Sequence, residues 1–211
     1  MEALKETIAT FDKYAAEYEN RYMEHAPYVA TYGPLSDLLP ANASILDAAC
    51  GPGNIARFLL HDFPDRKLHG IDLSPRMVEL ARLNNPTASF AVMDCRQIAE
   101  LGEYYDAIVA GFCFPYLDRE EVMAFIRDAK NMLHAGGVLY ISFMEGDYAA
   151  SGLQSRNDID WVCTYYHNSD WLADVLNRAG FDVIDTVRKV FVADGEPDAT
   201  DVFIYARATG A

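Results

Sequence analysis

The sequence predicts an α/β fold in which helices cover both faces of a mostly parallel sheet. Short apolar runs that fit buried strands alternate with segments of helical periodicity, a pattern typical of such folds. Each of the first three apolar runs ends at an acid, namely Asp47, Asp72 and Asp94, and a glycine-rich turn follows the first. Because parallel strands end at one edge of a sheet, we expect the three carboxylates to line a crevice there.

The first strand and its turn lie in residues 45–54, which read ILDAACGPGN. Gly51 and Gly53 allow backbone angles, and a close approach of a ligand, that a Cβ would block. The turn also matches the G-x-G-x-x-[GA] pattern of NAD-binding proteins, with Ala56 at the last position. Asp47 argues against a dinucleotide, because its carboxylate would repel a pyrophosphate at the N-terminus of the following helix. It favours a ligand that carries positive charge near the turn.

The second and third predicted strands place two further acids at the same edge. Residues 67–71 form the second strand and lead into Asp72, and residues 88–93 form the third and lead into Asp94. Residues 74–75, Ser-Pro, suit the N-cap and the first position of the helix between these strands. A carboxylate at Asp72 can accept both hydroxyls of a ribose, as in dinucleotide folds.

These strand ends resemble the motifs of the class I S-adenosylmethionine-dependent methyltransferases, in which an acid precedes the glycine-rich loop. The resemblance implies a Rossmann-like, seven-stranded sheet of order 3-2-1-4-5-7-6, with strand 7 antiparallel. It also implies S-adenosylmethionine as cofactor and S-adenosyl-L-homocysteine as product. This cofactor carries an ammonium and a sulfonium and no phosphate, which suits the carboxylate of Asp47.

The resemblance assigns cofactor-binding roles to residues at these strand ends. They are Asp47 and Gly51 at the methionine end, Gly53 in the loop, Asp72 at the ribose, Leu73 and Met77 beside the adenine, Asp94 and Cys95 at the adenine edge, and Gly111, whose carbonyl would face the ammonium.

The N-terminal region predicts a helix that covers the crevice. Apolar and aromatic side chains recur at helical spacing through residues 4–25. Residues 11–18, FDKYAAEY, resemble the entry helix of small-molecule methyltransferases, and the resemblance implies that Tyr14 and Tyr18 contact the cofactor.

The remaining segments complete a single predicted methyltransferase domain over residues 1–211. Within it, residues 1–40 form the helical cap, and a polar, irregular stretch at 144–168 predicts a lid-like insertion. The other predicted elements are a helix over 28–39 with an expected interruption at Gly33-Pro34, a helix over 54–62, a loop or short helix over 97–102, strand four over 104–111, a helix from a capping box at Asp118 and Glu121 to about residue 134, strand five over 138–143, a helix from residue 169, and closing strands over 181–192 and 201–208.

Aromatic residues after strand four and before the late helix are the candidates for binding a methyl acceptor. They are Phe112, Phe114, Tyr116, Tyr165 and Tyr166. His167 is the candidate general base, because the unperturbed pKa of histidine lies near neutrality. Methyl transfer from a sulfonium is an in-line displacement that mainly requires alignment of the reacting atoms, so a base is optional.

The composition favours a small molecule over nucleic acid or membrane as partner. The net charge is −15, from 32 acids and 17 bases, and phosphate binding depends on Lys and Arg. No apolar run approaches the ~20 residues that span a bilayer, and the charged first ten residues argue against a signal peptide, so we expect a cytoplasmic protein. The four cysteines and five histidines show no ligand spacing, so we expect no metal.

The sequence therefore predicts an S-adenosylmethionine-dependent methyltransferase that acts on a small-molecule acceptor. The Asn-Pro-Pro-Tyr or Asp-Pro-Pro-Tyr motif of nucleic-acid and protein amino-methyltransferases is missing after strand four, where residues 111–114 read GFCF. A non-catalytic protein that binds S-adenosylmethionine or S-adenosylhomocysteine is one alternative, and an NAD-dependent oxidoreductase is another. The acceptor, its accepting atom and the oligomeric state stay open at this stage.

Overall fold

The computed structural model describes residues 2–155, 157–191 and 199–210. Its strands are β1 (Ser44–Ala48), β2 (Lys67–Asp72), β3 (Ser89–Val92), β4 (Tyr105–Ala110), β5 (Leu133–Glu145), β6 (Gly152–Ser155), β7 (Trp161–Thr164), β8 (Phe181–Phe191) and β9 (Ala199–Ala208). Seven of them form one sheet in the order β3-β2-β1-β4-β5-β9-β8, and β6 and β7 form a separate pair.

The sheet confirms the predicted topology, with β8 and β9 as the sixth and seventh strands of the sheet. β1 lies between β2 and β4 and pairs in parallel with both, so that Asp47 is opposite Gly70 on one side and Val109 on the other. β9 runs antiparallel to both β5 and β8, and it is the one reversed strand. The predicted end of the sixth strand at Val192 lies outside the described residues.

Seven α-helices surround the sheet in the described part of the chain. They are α1 (Glu2–Lys13), α2 (Ala15–Tyr22), α3 (Ala26–Asp37), α4 (Asn54–His61), α5 (Pro75–Asn84), α6 (Arg119–Met132) and α7 (Ser169–Arg178), with 3₁₀ turns at Cys95–Leu101, Phe114–Tyr116 and Tyr148–Ala150. Two predicted helix starts are confirmed: the Ser74 side chain accepts a hydrogen bond from the Met77 N–H, and Asp118 and Glu121 form a capping box. No helix among these is long and apolar enough to cross a membrane.

The core lies on both faces of the sheet, because neighbouring residues of each strand point in opposite directions. Ile45 packs in the cluster formed with α3, α4 and α5, and Leu46 packs in the cluster formed with α6 and α7. A third, small cluster of Ala15, Met77 and Leu80 joins the N-terminal helices to α5. Helices therefore cover both faces, as predicted.

The N-terminal helices differ from the prediction at two points. The expected single helix over 4–25 is wrong: it breaks at Tyr14, which adopts φ −103° and ψ 15°, where the Tyr14 hydroxyl donates to Asp160 Oδ2 at 2.7 Å. The expected interruption at Gly33-Pro34 does not occur, since α3 continues through Pro34 to Asp37.

The segment expected to be irregular, 144–168, contains regular structure instead. Strand β5 extends to Glu145, and β6 and β7 pair as an antiparallel hairpin in which Leu153 faces Cys163. Helix α1 packs on this hairpin through two hydrogen bonds: the Cys163 N–H donates to Thr7 Oγ1 at 3.0 Å, and Thr10 Oγ1 donates to the Trp161 carbonyl at 3.1 Å. The hairpin therefore holds the N-terminal cap in place.

Candidate functional site

A cavity lies at the carboxyl edge of the parallel strands. This is the edge at which α/β sheets form their ligand crevices. The volume of the cavity is about 740 Å³ when the open solvent at its mouth is included. Its floor and walls come from the segments that follow β1, β2, β3 and β4, and its roof comes from α1 and α2. The lining residues are Leu4, Thr7, Ile8, Phe11, Tyr18, Ala49, Gly51, Asp72, Leu73, Ser74, Met77, Met93, Cys95, Gly111, Phe112, Cys113 and Tyr116.

The glycine-rich turn after β1 adopts backbone angles that require its small residues. Gly51 has φ +52° and Gly53 has φ +82°, both in the left-handed region. A Cβ on Gly53 would lie 2.3 Å from Asn85 Nδ2 and 3.3 Å from the Ala81 Cα. Ala49 is also left-handed, with φ 66°, a conformation that is uncommon for residues with a Cβ. The turn thus curls its backbone towards the cavity without side chains in the way.

Asp47 is a buried carboxylate that has no hydrogen-bond partner among the described residues. It is 1% exposed, and neither of its oxygens is satisfied. Burial, together with the negative charge of Asp72, raises the pKa of Asp47 to about 7. Buried polar groups are otherwise almost always paired, so this carboxylate, set beneath the glycine turn, is suited to a cationic group of a ligand.

Asp72 lies at the end of β2 and faces the cavity. Its Oδ2 accepts from the Gly51 N–H at 2.9 Å, and its Oδ1 accepts from the Ser74 N–H at 2.8 Å. Burial raises its pKa. Each carboxylate oxygen can accept more than one hydrogen bond, so Asp72 can bind two neighbouring hydroxyls of a ligand while it braces the turn.

The roof of the cavity is apolar and is fastened to α5. Leu4, Ile8 and Phe11 of α1 and Tyr18 of α2 line it. The Tyr18 ring packs edge-on against Phe11, with ring centroids 6.1 Å apart, and burial raises the pKa of its hydroxyl well above the usual value. Asp12 accepts hydrogen bonds from the Ser74 hydroxyl and from the Arg76 N–H, so α1 is tied to the first turn of α5.

Most of the residues predicted from the strand ends lie together around the cavity. Those on its lining are Gly51, Asp72, Leu73, Met77, Cys95, Gly111, Tyr18, Phe112 and Tyr116. Asp47 and Gly53 lie in the strand and turn beneath it. Their roles in binding stay predictions.

Asp94 does not lie on the lining, contrary to expectation. Its carboxylate binds the guanidinium of Arg96, with Arg96 Nη2 at 2.6 Å, and it caps the 3₁₀ turn by accepting from the Arg96 N–H at 2.9 Å. Arg96 also pairs with Glu121. A carboxylate held by its neighbour two residues away is turned from the cavity, whose wall here consists of Met93 and Cys95.

Four aromatic candidates also lie elsewhere. The Tyr14 hydroxyl binds Asp160, and Phe114 is fully buried in the core against Phe125. Tyr165 stacks on Tyr148 with ring centroids 6.2 Å apart, and the Tyr166 hydroxyl interacts with Gln154. These four side chains pack against the hairpin or in the core instead of lining the cavity.

The position of His167 contradicts the expectation that it acts as a general base. It is fully buried, and its Nε2 donates to the carbonyl oxygens of Phe114 and Leu117, at 3.0 and 3.1 Å. Burial lowers its pKa, and its ring stacks on Trp171. A neutral ring fixed on two main-chain carbonyls outside the cavity cannot take a proton from a ligand inside it.

The sequence reasoning missed the residues that α1 contributes. Leu4, Thr7, Ile8 and Phe11 all line the cavity. Their spacing of three and four residues, which defines one face of a helix, is a signal that could have identified them. Ser74, Met93 and Cys113 were missed as well, although each is adjacent in sequence to a predicted residue, and so was Ala49, which lies two residues from both Asp47 and Gly51. In the described chain, no group of three or more His, Cys, Asp or Glu could hold a metal ion.

Comparison with known proteins relates this chain to methyltransferases. Residues 45–137 match a family described as methyltransferase domain. Protein 235L of Invertebrate iridescent virus 6 is 30% identical over 147 residues, which are 69% of this chain and 54% of the viral protein. Malonyl-[acyl-carrier protein] O-methyltransferase of Acetivibrio thermocellus is 32% identical over 46% of this chain and 34% of its own length. The chain thus spans between a third and about half of these two relatives.

A third relative is matched over most of both chains. It is tRNA N(3)-methylcytidine methyltransferase trm141 of Schizosaccharomyces pombe, 22% identical over 85% of this chain and 82% of its own. Among solved structures, the DhpI-SAH complex matches with a TM-score of 0.72 at 16% identity, covering 99% of this chain and 98% of that one. N-methyltransferase NodS of Bradyrhizobium japonicum, in complex with S-adenosyl-L-homocysteine, matches with a TM-score of 0.69 at 19% identity, covering 92% and 91%.

The sheet order, the cavity at its carboxyl edge and the family match have one common explanation. Residues 45–137 belong to the methyltransferase domain family, and the chain has the fold of the class I S-adenosylmethionine-dependent methyltransferases.

Proposed function

We propose that this protein is an active methyltransferase that transfers a methyl group from S-adenosylmethionine to a small acceptor without a negative charge. The observation that carries the proposal is Asp47, a buried carboxylate with no partner beneath a glycine turn. An ionised carboxylate in such a place requires a cation. The ammonium of S-adenosylmethionine supplies one, whereas the phosphates of NAD would add negative charge, which argues against the oxidoreductase alternative.

The other residues of the cavity fit the remaining parts of the cofactor. Asp72 would accept the ribose hydroxyls, since both of its oxygens retain acceptor capacity beside the bonds from Gly51 and Ser74. Leu73 and Met77, on the lining, would offer apolar surface to the adenine, and Gly111, also on the lining, would offer its carbonyl to the ammonium. Asp94 is left out of this set because Arg96 holds it.

The chain's contribution to the reaction is alignment and exclusion of water. S-adenosylmethionine supplies a methyl group that its sulfonium already activates. The roof of Leu4, Ile8 and Phe11 closes the cavity against solvent, and the Tyr18 and Phe112 rings restrict how a ligand can lie. Positioning of this kind can lower a barrier by roughly 7–11 kcal/mol, so the lack of a histidine on the lining is compatible with catalysis.

The charge of the lining indicates the class of acceptor. Among the described residues of the lining, Asp72 is the one charged side chain, and none is Lys, Arg or His. Among the cations close in sequence to lining residues, Lys13 is paired with Asp160, Arg76 with Glu79, and Arg96 with Asp94 and Glu121, while Lys5 is exposed at the surface. An acceptor carboxylate would lose its hydration and find no cationic side chain on the described lining, which is costly. The cavity therefore favours an uncharged apolar molecule or an amine.

A polynucleotide acceptor, as in the tRNA-modifying relative, is disfavoured by the charge of the molecule. The net charge of −15 would repel the phosphates that nucleic-acid-binding proteins neutralise with Lys and Arg. We therefore propose a small molecule as the methyl acceptor.

Calorimetry of S-adenosylmethionine binding tests the cofactor site. We expect wild type to bind and both Asp47→Asn and Asp72→Asn to bind at least about tenfold more weakly, since each loses a charged or hydrogen-bonding contact. Asp62→Asn, on the surface beside His61, is the matched control and should bind as wild type does. Failure of folded wild-type protein to bind would refute the proposal.

A second measurement isolates Asp47. Because its pKa is about 7 in the free protein, binding an ammonium beside it should release a proton at a pH of about 6. The release is measured from the dependence of the binding heat on the ionisation enthalpy of the buffer, and Asp47→Asn should lack it.

Acceptor classes are then compared by release of S-adenosylhomocysteine with phenols, amines and carboxylates. Cofactor binding without turnover on any class would favour the non-catalytic alternative.

A further inference from the structure

Two cysteines meet in the wall of the cavity. Cys95 follows β3 and Cys113 follows β4, and the Cys113 thiol donates a hydrogen bond to the Cys95 sulfur at 3.3 Å. Both side chains line the cavity. Cys113 is 1% exposed, and Cys95 is half-buried. In the described chain, which includes all four cysteines, this is the one thiol–thiol hydrogen bond.

The two thiols differ in a way that suits stepwise oxidation. The hydrogen bond to Cys95, together with burial, raises the pKa of Cys113 well above its usual value, so Cys113 stays protonated. Cys95 accepts that hydrogen bond and is the more exposed of the two. Thiol reactivity towards oxidants follows exposure and thiolate character, so Cys95 is the group that an oxidant would attack and Cys113 is the group placed to resolve it.

We propose that Cys95 and Cys113 form a redox modification site for a hydroperoxide and that their disulfide closes the cofactor cavity. In the first step the Cys95 sulfur attacks the peroxide oxygen, its thiol becomes a sulfenic acid and, with hydrogen peroxide, one water leaves. In the second step the Cys113 sulfur attacks the sulfenic sulfur, an S–S bond forms and the S–O bond breaks, and the Cys113 thiol proton leaves with the sulfenic hydroxyl as a second water. Two equivalents of a thiol reductant restore both cysteines.

The disulfide would change the shape of the cavity wall. Sulfurs now 3.3 Å apart must approach to about 2.05 Å, so the segments after β3 and β4 have to move towards each other. Met93 and Phe112, which flank the two cysteines in sequence, line the same cavity. This half of the inference rests on the proposed function, because it assumes that the cavity binds S-adenosylmethionine and its product.

Thiol chemistry tests the modification site without reference to the cofactor. Reduced protein is treated with hydrogen peroxide, unfolded under alkylation, and mapped by mass spectrometry of its peptides. We expect the loss of two thiols, a peptide cross-linked between Cys95 and Cys113, and full recovery with dithiothreitol. Oxidation that stops at a sulfinic acid on Cys95, or a disulfide that involves Cys50 or Cys163, would overturn the proposal.

Variants separate the two roles. Cys95→Ser should keep its remaining thiols reduced, and Cys163→Ser on β7, outside the lining, should form the disulfide as wild type does. Cys95→Ser is the primary variant because Cys95 is the less buried of the pair; should it fold poorly, Cys95→Ala replaces it. We expect wild type and Cys163→Ser to form the disulfide at the same rate. Loss of the disulfide in Cys163→Ser would contradict the assignment.

Calorimetry with S-adenosylhomocysteine tests the effect on the cavity. We expect the oxidised protein to bind about tenfold or more weakly than the reduced protein. A saturating ligand should then shift the equilibrium between the dithiol and the disulfide, set by a thiol–disulfide buffer, towards the dithiol, since the two effects are thermodynamically linked. Equal affinity in both states would overturn the closure of the cavity. A reduced protein that binds no ligand would instead refute the proposed function, while the peptide map would still decide the disulfide.

Discussion

Individual residues in β1 and in the glycine turn shape the cavity, and they lower the stability of the free protein. Gly53 has φ +82° and lies so close to Asn85 and Ala81 that no side chain fits. Asp47, on β1 before the turn, is buried and has no hydrogen-bond partner among the described residues. Neither feature is explained by packing alone, and strained or unsatisfied groups of this kind concentrate at functional sites.

Gly53→Ala should destabilise the protein by about 2–3 kcal/mol, because it adds left-handed backbone strain to a steric clash with Asn85. Gly33→Ala is the matched control: Gly33 lies inside α3, a Cβ there would meet nothing within 4 Å, and alanine should stabilise the helix by about 0.5–1 kcal/mol. Urea unfolding measures both changes. Equal effects of the two substitutions on stability would contradict the conclusion that the turn requires glycine at position 53.

The pH dependence of stability should reveal Asp47 in the free protein. Its pKa is raised to about 7 on folding, from about 3.9 in an unfolded chain. As the pH rises from about 4 to about 7, the unfolded chain loses this proton first, so the free energy of unfolding should fall by several kcal/mol, on the order of 4, and then level off. Urea unfolding of wild type and Asp47→Asn at several pH values checks this. Parallel curves for the two proteins would show that Asp47 is not the group responsible.

At the scale of elements, the N-terminal cap depends on a hairpin that is distant in sequence. Local patterns predicted the strands, the capped starts of α5 and α6 and the acid at the end of each parallel strand, because these depend on neighbours within a few residues. They did not predict the break at Tyr14 or the β6–β7 hairpin, because both involve contacts such as Tyr14 with Asp160, 146 positions apart. The ion pair of Asp94 was missed for a different reason, since its partner Arg96 is only two residues away and the predicted role of Asp94 took no account of it.

Thr7→Val should loosen the cap while preserving the volume of the side chain. The Thr7 hydroxyl accepts the Cys163 N–H at 3.0 Å and is itself 5% exposed, so the substitution leaves a partly buried N–H unpaired and should cost about 1–3 kcal/mol. Thr10→Val removes an exposed hydrogen bond to the Trp161 carbonyl and should cost less than about 1 kcal/mol. Thermal unfolding and hydrogen exchange of β7 compare the two. A larger effect from Thr10→Val would contradict the attachment described here.

At the scale of the whole molecule, the cavity joins parts of the chain that are otherwise independent. Its roof comes from α1 and α2, its floor from the turn after β1, and its walls from the segments after β2, β3 and β4. These parts belong to different packing clusters. A ligand that fills the cavity therefore bridges the N-terminal cap and the edge of the sheet, and the stability of the cap becomes linked to occupancy.

S-adenosylmethionine should accordingly stabilise the protein as a whole and α1 in particular. At a free concentration about 100 times the Kd, binding adds roughly 2.7 kcal/mol to the free energy of unfolding, which for a domain of this size raises Tm by roughly 5–11 °C. Hydrogen exchange should slow most in α1, in the turn after β1 and at the ends of β2 and β4, because these contact the ligand. Residues 122–132 of α6, which lie in the core away from the lining, are the internal control. Protection of α6 equal to that of α1 would mean that the ligand stabilises the fold without bridging the cap, and the cavity described here would not be where it binds.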